Sequence, residues 1–341
     1  MKDWFKMLTI KDIAKKAGVS VATVSKVMNG YDDIGEVTKA KVLKIIEETN
    51  YRPNANAQSL RTNKSFLVGL FFKDHQDSGL KHPFFRGIIS GLETTLVENN
   101  YDMILFSTNW EDQFSYLEKC EFRNVDGAIL MGMPKDDPKL VEFLEAKFPA
   151  VFIDLDIVTE NSSYVISDNK IGARKAVRHL IELGHQKIAI ITGESITVPT
   201  RERLIGYKLE MAAQNLKIRD DWIIEGHFSV NGGYESMQKI LELPEQPTAI
   251  FCQGDEIAIG AMQAIEARGL SVPADFSLIG FDDIEISQYL NPGLTTVCQK
   301  KEAMGSAAAN MILDLISKSE AGVEPIILET ELIIRNSTRK L

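Results

Sequence analysis

Cysteine and histidine are scarce in this chain, and their positions argue against disulfides and metal sites. Its 341 residues contain three cysteines and five histidines. Cys120, Cys252 and Cys298 lie far apart, and each stands in or beside an apolar run, which is typical of buried thiols in a reducing compartment. The histidines lack the spacing of metal ligands. We therefore expect no disulfide, no metal and no cofactor.

Long apolar segments and phosphate-binding loops are missing as well. No stretch approaches the roughly 20 apolar residues that a membrane span needs, and residues 1–6 contain no apolar core of a signal peptide. The loop at Gly193 lacks the Gly-Lys-Ser/Thr ending of a phosphate loop, and no G-x-G-x-x-G follows an apolar run. Because a nucleophile–base pair is also lacking, we expect a cytoplasmic protein that is not an enzyme and has no membrane partner.

The charges are divided unevenly along the chain. Residues 1–64 carry 12 Lys and Arg against 7 Asp and Glu, although the whole chain has a net charge of −10. The basic N-terminal part is therefore suited to contact with phosphates, whereas the acidic remainder is repelled by nucleic acid. This asymmetry predicts that the remainder has a different partner.

The first thirty residues indicate two short helices around a glycine turn. Thr9 is a helix cap by residue type, Gly18 suits a left-handed turn, and Ser20 caps the second helix. In helix-turn-helix proteins such a second helix enters the DNA major groove. The alternative is an ordinary helical hairpin in a larger core. On the second helix we expect Val21, Val24 and Val27 to pack inward, and Ala22, Thr23, Ser25, Lys26 and Asn29 to face outward.

A third helix is predicted between residues 32 and 50, and Pro53 follows its end. Residues 55–61 fit two helical turns, and residues 62–65 resemble a linker. From Phe66 onward, apolar runs alternate with amphipathic helices, which predicts a doubly wound α/β body of two lobes with a ligand cleft. The predicted strands are 66–72, 103–106, 128–131, 150–153, 188–191, 248–252 and 278–281, and the predicted helices are 84–99, 112–122, 138–147, 169–184, 201–215, 231–242 and 256–268.

Over essentially its whole length, the chain resembles the lactose/galactose repressor (LacI/GalR) family of bacterial transcription regulators. The helix-turn-helix segment matches the opening motif of that family, and Ala57-Gln58-Ser59-Leu60 resembles its hinge. Each motif alone is weak, but their order along the chain is specific. The matching segments are residues 9–30, 54–61, 82–85, 167–173, 179–185, 203–207, 255–260, 272–275, 280–283 and 294–297.

The resemblance implies an α+β multidomain fold: an N-terminal all-α helix-turn-helix head and a two-lobed α/β body like that of periplasmic binding proteins. It places the head in residues 1–53, a hinge helix and linker in 54–65, and the effector-binding and dimerisation body in 66–341. One lobe is expected near 66–166 and 298–325, and the other near 167–297 and 326–341.

The resemblance also assigns the DNA contacts. Val21, Ala22 and Lys26 match positions that meet base edges, where lysine reads guanine and the small apolar residues touch thymine methyl groups. Leu60 is expected to enter the minor groove at the centre of a near-palindromic operator, at a C·G step. The alternatives are core packing for Val21 and linker packing for Leu60. The predicted DNA-binding set is Ser20, Val21, Ala22, Thr23, Ser25, Lys26, Asn29, Asn54 and Leu60.

The effector site is predicted in the cleft of the body. Arg203 and Asp255 match family positions that contact the effector, and their donor fork and acceptor pair suit hydroxyl groups or a phosphate. Phe228 matches an aromatic position that stacks on the ligand, whereas Gly254 stands where the family often has asparagine. The alternative is a structural salt bridge or a core aromatic. The predicted effector-binding set is Lys73, Asp74, Phe84, Phe85, Asp154, Arg203, Phe228 and Asp255.

Taken together, these features predict a homodimeric, sequence-specific repressor of carbohydrate-use genes. It is expected to bind double-stranded operator DNA and to respond to a small effector, a sugar or sugar phosphate. Two alternatives remain at this point: a global regulator whose co-effector is a phosphoprotein bound to the body, and a sugar-binding transport protein. The transport protein has no use for the basic head.

Overall fold

The structure, a computed structural model, describes residues 8–28, 30–49, 51, 64–73, 82–106, 114–318 and 323–341. The chain is divided into two compact units between Ser65 and Phe66. The first unit is helical and the second contains two β-sheets. Among the described residues, no helix is long and apolar enough to cross a membrane.

The N-terminal unit contains α1 (Ile10–Ala17), α2 (Val21–Met28) and α3 (Glu36–Thr49). A reciprocal cap begins α1: the Asp12 amide donates to the Thr9 hydroxyl, and the Thr9 amide donates to the Asp12 carboxylate at 2.8 Å. Gly18 ends α1 with φ of 65°, a conformation that glycine adopts without strain. Ser20 caps α2, because its hydroxyl accepts the Thr23 amide at 3.0 Å.

A small apolar core joins these three helices. It is formed by Ile13, Ala14 and Ala17 of α1, Val24 and Val27 of α2, and Val42 of α3. Val21 was expected to pack inward, and that prediction is wrong: Val21 begins α2 and remains 39 % exposed, because Val24 and Val27 of the later turns close the core.

The first sheet of the body is parallel throughout, with strand order β11–β5–β4–β3–β1–β2. Helices cover both of its faces, and its central strands are accordingly apolar and buried rather than alternating. The strands are β1 (Leu67–Phe72), β2 (Asp102–Phe106), β3 (Gly127–Met131), β4 (Ala150–Ile153), β5 (Ser162–Ser167) and β11 (Ile326–Leu328), and the helices are α4 (Pro83–Glu98), α5 (Tyr116–Arg123), α6 (Pro138–Glu145) and α11 (Lys301–Ser317).

The second sheet has strand order β12–β10–β9–β8–β6–β7, and only its edge strand β12 is antiparallel to its neighbour. Two helices cover each face here as well. The strands are β6 (Ile188–Thr192), β7 (Ile223–Glu225), β8 (Ala249–Cys252), β9 (Ser277–Asp282), β10 (Thr295–Cys298) and β12 (Glu331–Ile333), and the helices are α7 (Asn169–Glu182), α8 (Val198–Ala213), α9 (Val230–Leu241) and α10 (Asp255–Ala267).

The C-terminal part of the body differs from its prediction. Residues 326–341 were expected in the second lobe, but Ile326–Leu328 pairs in parallel with β5 of the first sheet, and only Glu331–Ile333 joins the second. The apolar runs also failed to predict β5, β7 and β10, and the helix list omitted α11. β5 and β10 contain serine or threonine, and β7 has only three residues, so these strands give little periodic signal.

Candidate functional site

A cavity lies where the carboxyl ends of the two sheets of the body meet. It encloses about 720 Å³ of empty space, a figure that includes the solvent at its open mouth. Ligand sites of doubly wound folds occupy this position. From the first sheet and its loops the lining residues are Lys73, His82, Phe84, Phe85, Gly132, Met133 and Asp154, and from the second they are Glu194, Thr197, Pro199, Arg203, Phe228 and Asp282.

Arg203 is the central cation of this cavity. Its side chain is 3 % exposed, Nε donates to Asn169 Oδ1 at 2.7 Å, and Nη1 donates to the carbonyl oxygen of Gln253. The guanidinium carbon lies 3.8 Å from the ring centroid of Phe281, and Nη1 lies 3.8 Å from Asp282 Oδ1. Burial lowers the pKa of Arg203, and Asp282 acts in the opposite direction. The helix, the ring and the amide partners together hold the guanidinium plane in place.

Two carboxylates of the cavity stand on backbone that is unusual for residues with a side chain. Asp154, directly after β4, has φ of 62°, and Asp282, the last residue of β9, has φ of 114°. Positive φ costs energy in such residues and is concentrated at functional sites. Burial raises the pKa of Asp154 to about 7 and also raises the pKa of Asp282, although Arg203 opposes both shifts. Both carboxyl groups are thus held in a poorly solvated environment.

Polar atoms of the cavity are left without protein partners. Among the described residues, Asp154 Oδ1 and His82 Nδ1 are buried and make no hydrogen bond. Most buried polar atoms in native proteins are paired, so unpaired atoms that line a cavity indicate a place for a polar ligand. The cavity can therefore hold a molecule with several hydroxyl or charged oxygen groups.

An aromatic wall completes the cavity. The Phe228 ring lies on Gly193, where a Cβ would come 1.9 Å from a ring carbon, so the ring needs glycine at that position. A Cβ at Gly254 would lie 3.2 Å from the same ring, so Phe228 leaves little room for a side chain there. Gly254 is the position at which the lactose/galactose repressor family often has asparagine. Phe84 and Phe85 pack edge to face on the opposite wall, with ring centroids 5.2 Å apart.

Six of the eight predicted effector residues line this cavity: Lys73, Phe84, Phe85, Asp154, Arg203 and Phe228. Asp74 lies outside the described residues. Asp255 is placed elsewhere, and its prediction is corrected: its side chain is fully buried, Oδ2 accepts from the Ile284 amide at 2.8 Å and the Ser287 hydroxyl at 2.7 Å, and Oδ1 accepts from Thr296. These three donors make Asp255 a support for the loop after β9.

Asp282 takes the place on the cavity wall that was predicted for Asp255. Asp282 belongs to segment 280–283, which matches the family, but no function was predicted for this aspartate. Both residues follow or end a buried strand, which was the signal that identified Asp154. His82, Glu194 and Thr197 were also missed, because they belong to loops and helix starts without a periodic pattern.

The N-terminal unit presents the solvent side of α2. Val21, Ala22 and Lys26 are exposed, whereas Thr23 and Ser25 are half-buried. Lys26 forms an ion pair with Asp33, and the hydroxyl of Ser20 is engaged by the cap of α2. Asn29, Asn54 and Leu60 lie outside the described residues. A short helix with a small, basic exposed face after a tight turn is the geometry that reads DNA major grooves.

Comparison with known families divides the chain in the same way. The family described as "Bacterial regulatory proteins, lacI family" matches residues 9–54. The family described as "Periplasmic binding protein-like domain" matches residues 177–338. The probable HTH-type transcriptional repressor ExuR of Bacillus subtilis is 39 % identical over 98 % of this chain and 99 % of its own. The ribose operon repressor of Haemophilus influenzae is 34 % identical over 98 % of this chain and all of its own length.

Solved structures agree with this comparison. The lac repressor dimer bound to operator and the anti-inducer ONPF is 30 % identical, covers 98 % of this chain and all of its own, and has a TM-score of 0.83. The transcriptional regulator CelR in complex with cellobiose is also 30 % identical, covers 97 % of this chain and 99 % of its own, and has a TM-score of 0.73.

A helix-turn-helix unit carried on a two-lobed ligand-binding body defines the class of effector-responsive DNA-binding transcription regulators. This chain belongs to the lacI family of bacterial regulatory proteins and is a transcriptional repressor of that family.

Proposed function

We propose that this protein is a homodimeric repressor of carbohydrate-use genes, and that a sugar or sugar phosphate in the cavity of the body controls its affinity for operator DNA. The observation that carries the proposal is the cavity itself. Arg203, Asp154 and Asp282 converge there beside the Phe228 ring, and buried polar atoms lack protein partners. An aromatic face with a few convergent donors and acceptors suits a sugar ring and its hydroxyl groups.

The names of relatives support a carbohydrate effector. One relative is a ribose operon repressor, and similar structures were solved with ribose and with cellobiose. Other relatives are named PurR, so the ligand class rests on the cavity and not on names alone. Polar groups face the cavity from both sheets, so a ligand that bonds to both favours one arrangement of the two lobes over another. Such a ligand can change the operator affinity only as far as it binds one arrangement of the lobes more tightly than the other.

The operator side of the proposal rests on the basic N-terminal part and the exposed face of α2. We propose that Val21, Ala22 and Lys26 contact base edges. Leu60 enters the minor groove at a central C·G step. The contacts to DNA phosphates, which fix the register of the protein on the duplex, come from Ser20, Thr23, Ser25, Asn29 and Asn54. A dimer then reads a near-palindromic duplex.

Selection from a pool of randomised palindromic duplexes tests this function. We expect the full chain to enrich a near-palindrome with a central C·G step and to bind it with a Kd that rises steeply with salt. A library of sugars, sugar phosphates and phosphoproteins is then added to the selected complex. No enrichment, or binding without salt dependence, contradicts the regulator. A response to a phosphoprotein but to no small molecule favours the alternative co-effector.

A further inference from the structure

Lys73, on the side of the cavity formed by the first sheet, has ammonium hydrogens that can bond to a ligand. Lys73 directly follows β1, and its side chain is 43 % exposed. Its Nζ lies 3.8 Å from Asp137 Oδ2, which is longer than a hydrogen bond. Asp137 also accepts from the Tyr116 hydroxyl at 2.8 Å and the Lys139 amide at 3.0 Å. The ammonium donors of Lys73 can therefore turn to a ligand without leaving Asp137 unpaired.

The backbone holds Lys73 at this place. Its amide donates to the carbonyl oxygen of Met131 at 3.1 Å, which continues the pairing of β1 with β3. Gly132, with φ of 74°, lies against the carbonyl group of Lys73, where a Cβ would come within 2.0 Å of the oxygen. The lysine thus stands on a close backbone contact that only glycine permits, and its stem begins at the cavity edge.

The start of α4 adds a second feature to the same cavity. His82 precedes Pro83 at the first position of a 16-residue helix, and no side chain caps that end. His82 is 8 % exposed, lines the cavity, and its Nδ1 has no hydrogen-bond partner among the described residues, while Nε2 lies 3.8 Å from Glu256. A helix start with an unpaired buried ring nitrogen is suited to oxygen ligands that carry negative charge.

Three acidic residues line the cavity, Asp154, Asp282 and Glu194, and none of them follows β1, the strand that ends at Lys73. Asp154 follows β4, which is separated from β1 by β3, so the two strand ends are about 10 Å apart. Asp282 belongs to the second sheet, where Arg203 is 3.8 Å away, although it also lies within electrostatic range of His82. Asp154, Asp282 and Lys73 are thus at different places on the cavity wall.

We propose that the effector is an acidic sugar, whose carboxylate or phosphate oxygens bind Lys73 Nζ and the start of α4 while its hydroxyl groups bind Arg203, Asp154 and Asp282. This inference rests on the proposed function and specifies the ligand class of the same cavity. A charge-assisted hydrogen bond in a partly buried site gives an acidic sugar an advantage of about ten- to hundredfold in affinity over its neutral analogue.

Matched sugars test the proposal. Calorimetric titrations of the full chain compare glucose, galactose and mannose with the uronic acid and the 6-phosphate of each. We expect at least one acid to bind about tenfold or more tightly than its neutral analogue, and the two acidic arms distinguish carboxylate from phosphate. Lys73→Met should remove this margin, because it should weaken the acid about tenfold more than it weakens the neutral sugar, and Lys73→Arg should restore part of the margin.

Lys135→Met is the matched control, because Lys135 is similarly exposed and pairs with Asp156, and neither residue lines the cavity. The proposal is overturned if every neutral sugar binds as tightly as both of its acids, if none of the acids binds, or if Lys73→Met weakens neutral and acidic sugars equally. Operator binding is measured on the same samples. Retained operator binding with any of these results leaves the proposed regulator intact, whereas its absence rejects both.

Discussion

Arg203 and the three aspartates around it show how one buried cation divides neighbouring carboxylates into different roles. Asp282 and Asp154 face the cavity near the guanidinium group, whereas Asp255 uses both oxygens inside the protein. Burial raises the pKa of Asp255, and its three hydrogen-bond donors oppose that shift. The residue type is the same in all three cases, and the local partners decide what each one does.

Asp255→Ala is expected to lower the stability of the body. The substitution leaves the Ile284 amide and two hydroxyl groups buried without an acceptor, which costs about 3 kcal/mol or more of the free energy of unfolding. Chemical denaturation measures this loss. Asp156→Ala, which removes an exposed carboxylate paired with Lys135, should change the free energy by less than about 0.5 kcal/mol. An equal loss of stability in the two variants would contradict a structural role of Asp255 and favour its original prediction as a ligand contact.

Asp154 is expected to make stability fall as pH rises. Burial raises its pKa to about 7, above the unfolded value near 3.9, so the folded state binds this proton more tightly. Its contribution is fully present below about pH 4 and is lost between about pH 4 and 7. The melting temperature of the wild type should therefore drop more between pH 5 and pH 8 than that of Asp154→Asn. Parallel curves for both proteins would show that Asp154 is ionised throughout.

At the scale of elements, α4 and α11 form a closely packed pair beside the cavity. A Cβ at Gly91 would lie 2.1 Å from the Glu302 oxygen, and a Cβ at Gly305 would lie 2.0 Å from the Ile88 oxygen. Lys301, the first residue of α11, donates its Nζ to the Asp282 and Asp283 carbonyl oxygens at 2.6 and 2.9 Å. A helix pair of the first lobe is thereby bonded to the strand end that carries a cavity carboxylate.

Gly305→Ala tests this close contact. The added methyl group must displace the α4 backbone, so we expect a loss of about 1–3 kcal/mol in the free energy of unfolding, although alanine is the better helix former. Gly293→Ala is the control, because its Cβ would come no closer than 3.5 Å to a neighbouring atom. Denaturant titration of both variants decides. A neutral or stabilising Gly305→Ala would mean that the two helices have room to separate.

Lys26 on α2 gives the element-scale prediction for DNA binding. Its ammonium group pairs with Asp33, so DNA must replace that partner. Lys26→Met should weaken operator binding by about 1–3 kcal/mol, and Asp33→Asn should strengthen it, because the competing carboxylate is gone. Fluorescence anisotropy with labelled operator measures both. Lys44→Met, which removes an exposed lysine paired with Glu48 on α3, is the control, and an equal loss there would reduce Lys26 to a general electrostatic contact.

The elements were more predictable than the side chains that use them. The apolar runs of β1, β3, β6 and β9 are fully or largely buried and therefore visible as patterns. The sequence also identified Arg203 and Phe228 through family motifs. It did not distinguish Asp255 from Asp282, because both stand near strand ends and only the three-dimensional path shows which carboxylate meets donors inside the protein.

At the scale of the whole molecule, the two units differ in charge and in the kind of site that they carry. The N-terminal part is basic and carries the exposed α2 face, whereas the body is acidic and contains the cavity. The cavity lining comes from both sheets, so the proposed ligand is expected to act on the arrangement of the whole body rather than on one loop. Regulation then requires that this arrangement change the operator affinity of the N-terminal unit.

The most direct test of this account is the operator affinity of the full chain with and without a saturating ligand that binds the body. Anisotropy titrations are made with the wild type and with Asp282→Asn, which keeps the side-chain shape and removes the cavity charge. We expect the ligand to change the operator Kd of the wild type by about tenfold or more. Asp282→Asn should bind ligand-free operator normally and should show less than about a twofold change at the same ligand concentration. An operator Kd that stays constant while the wild-type body is demonstrably occupied, or an undiminished response in Asp282→Asn, would contradict the account.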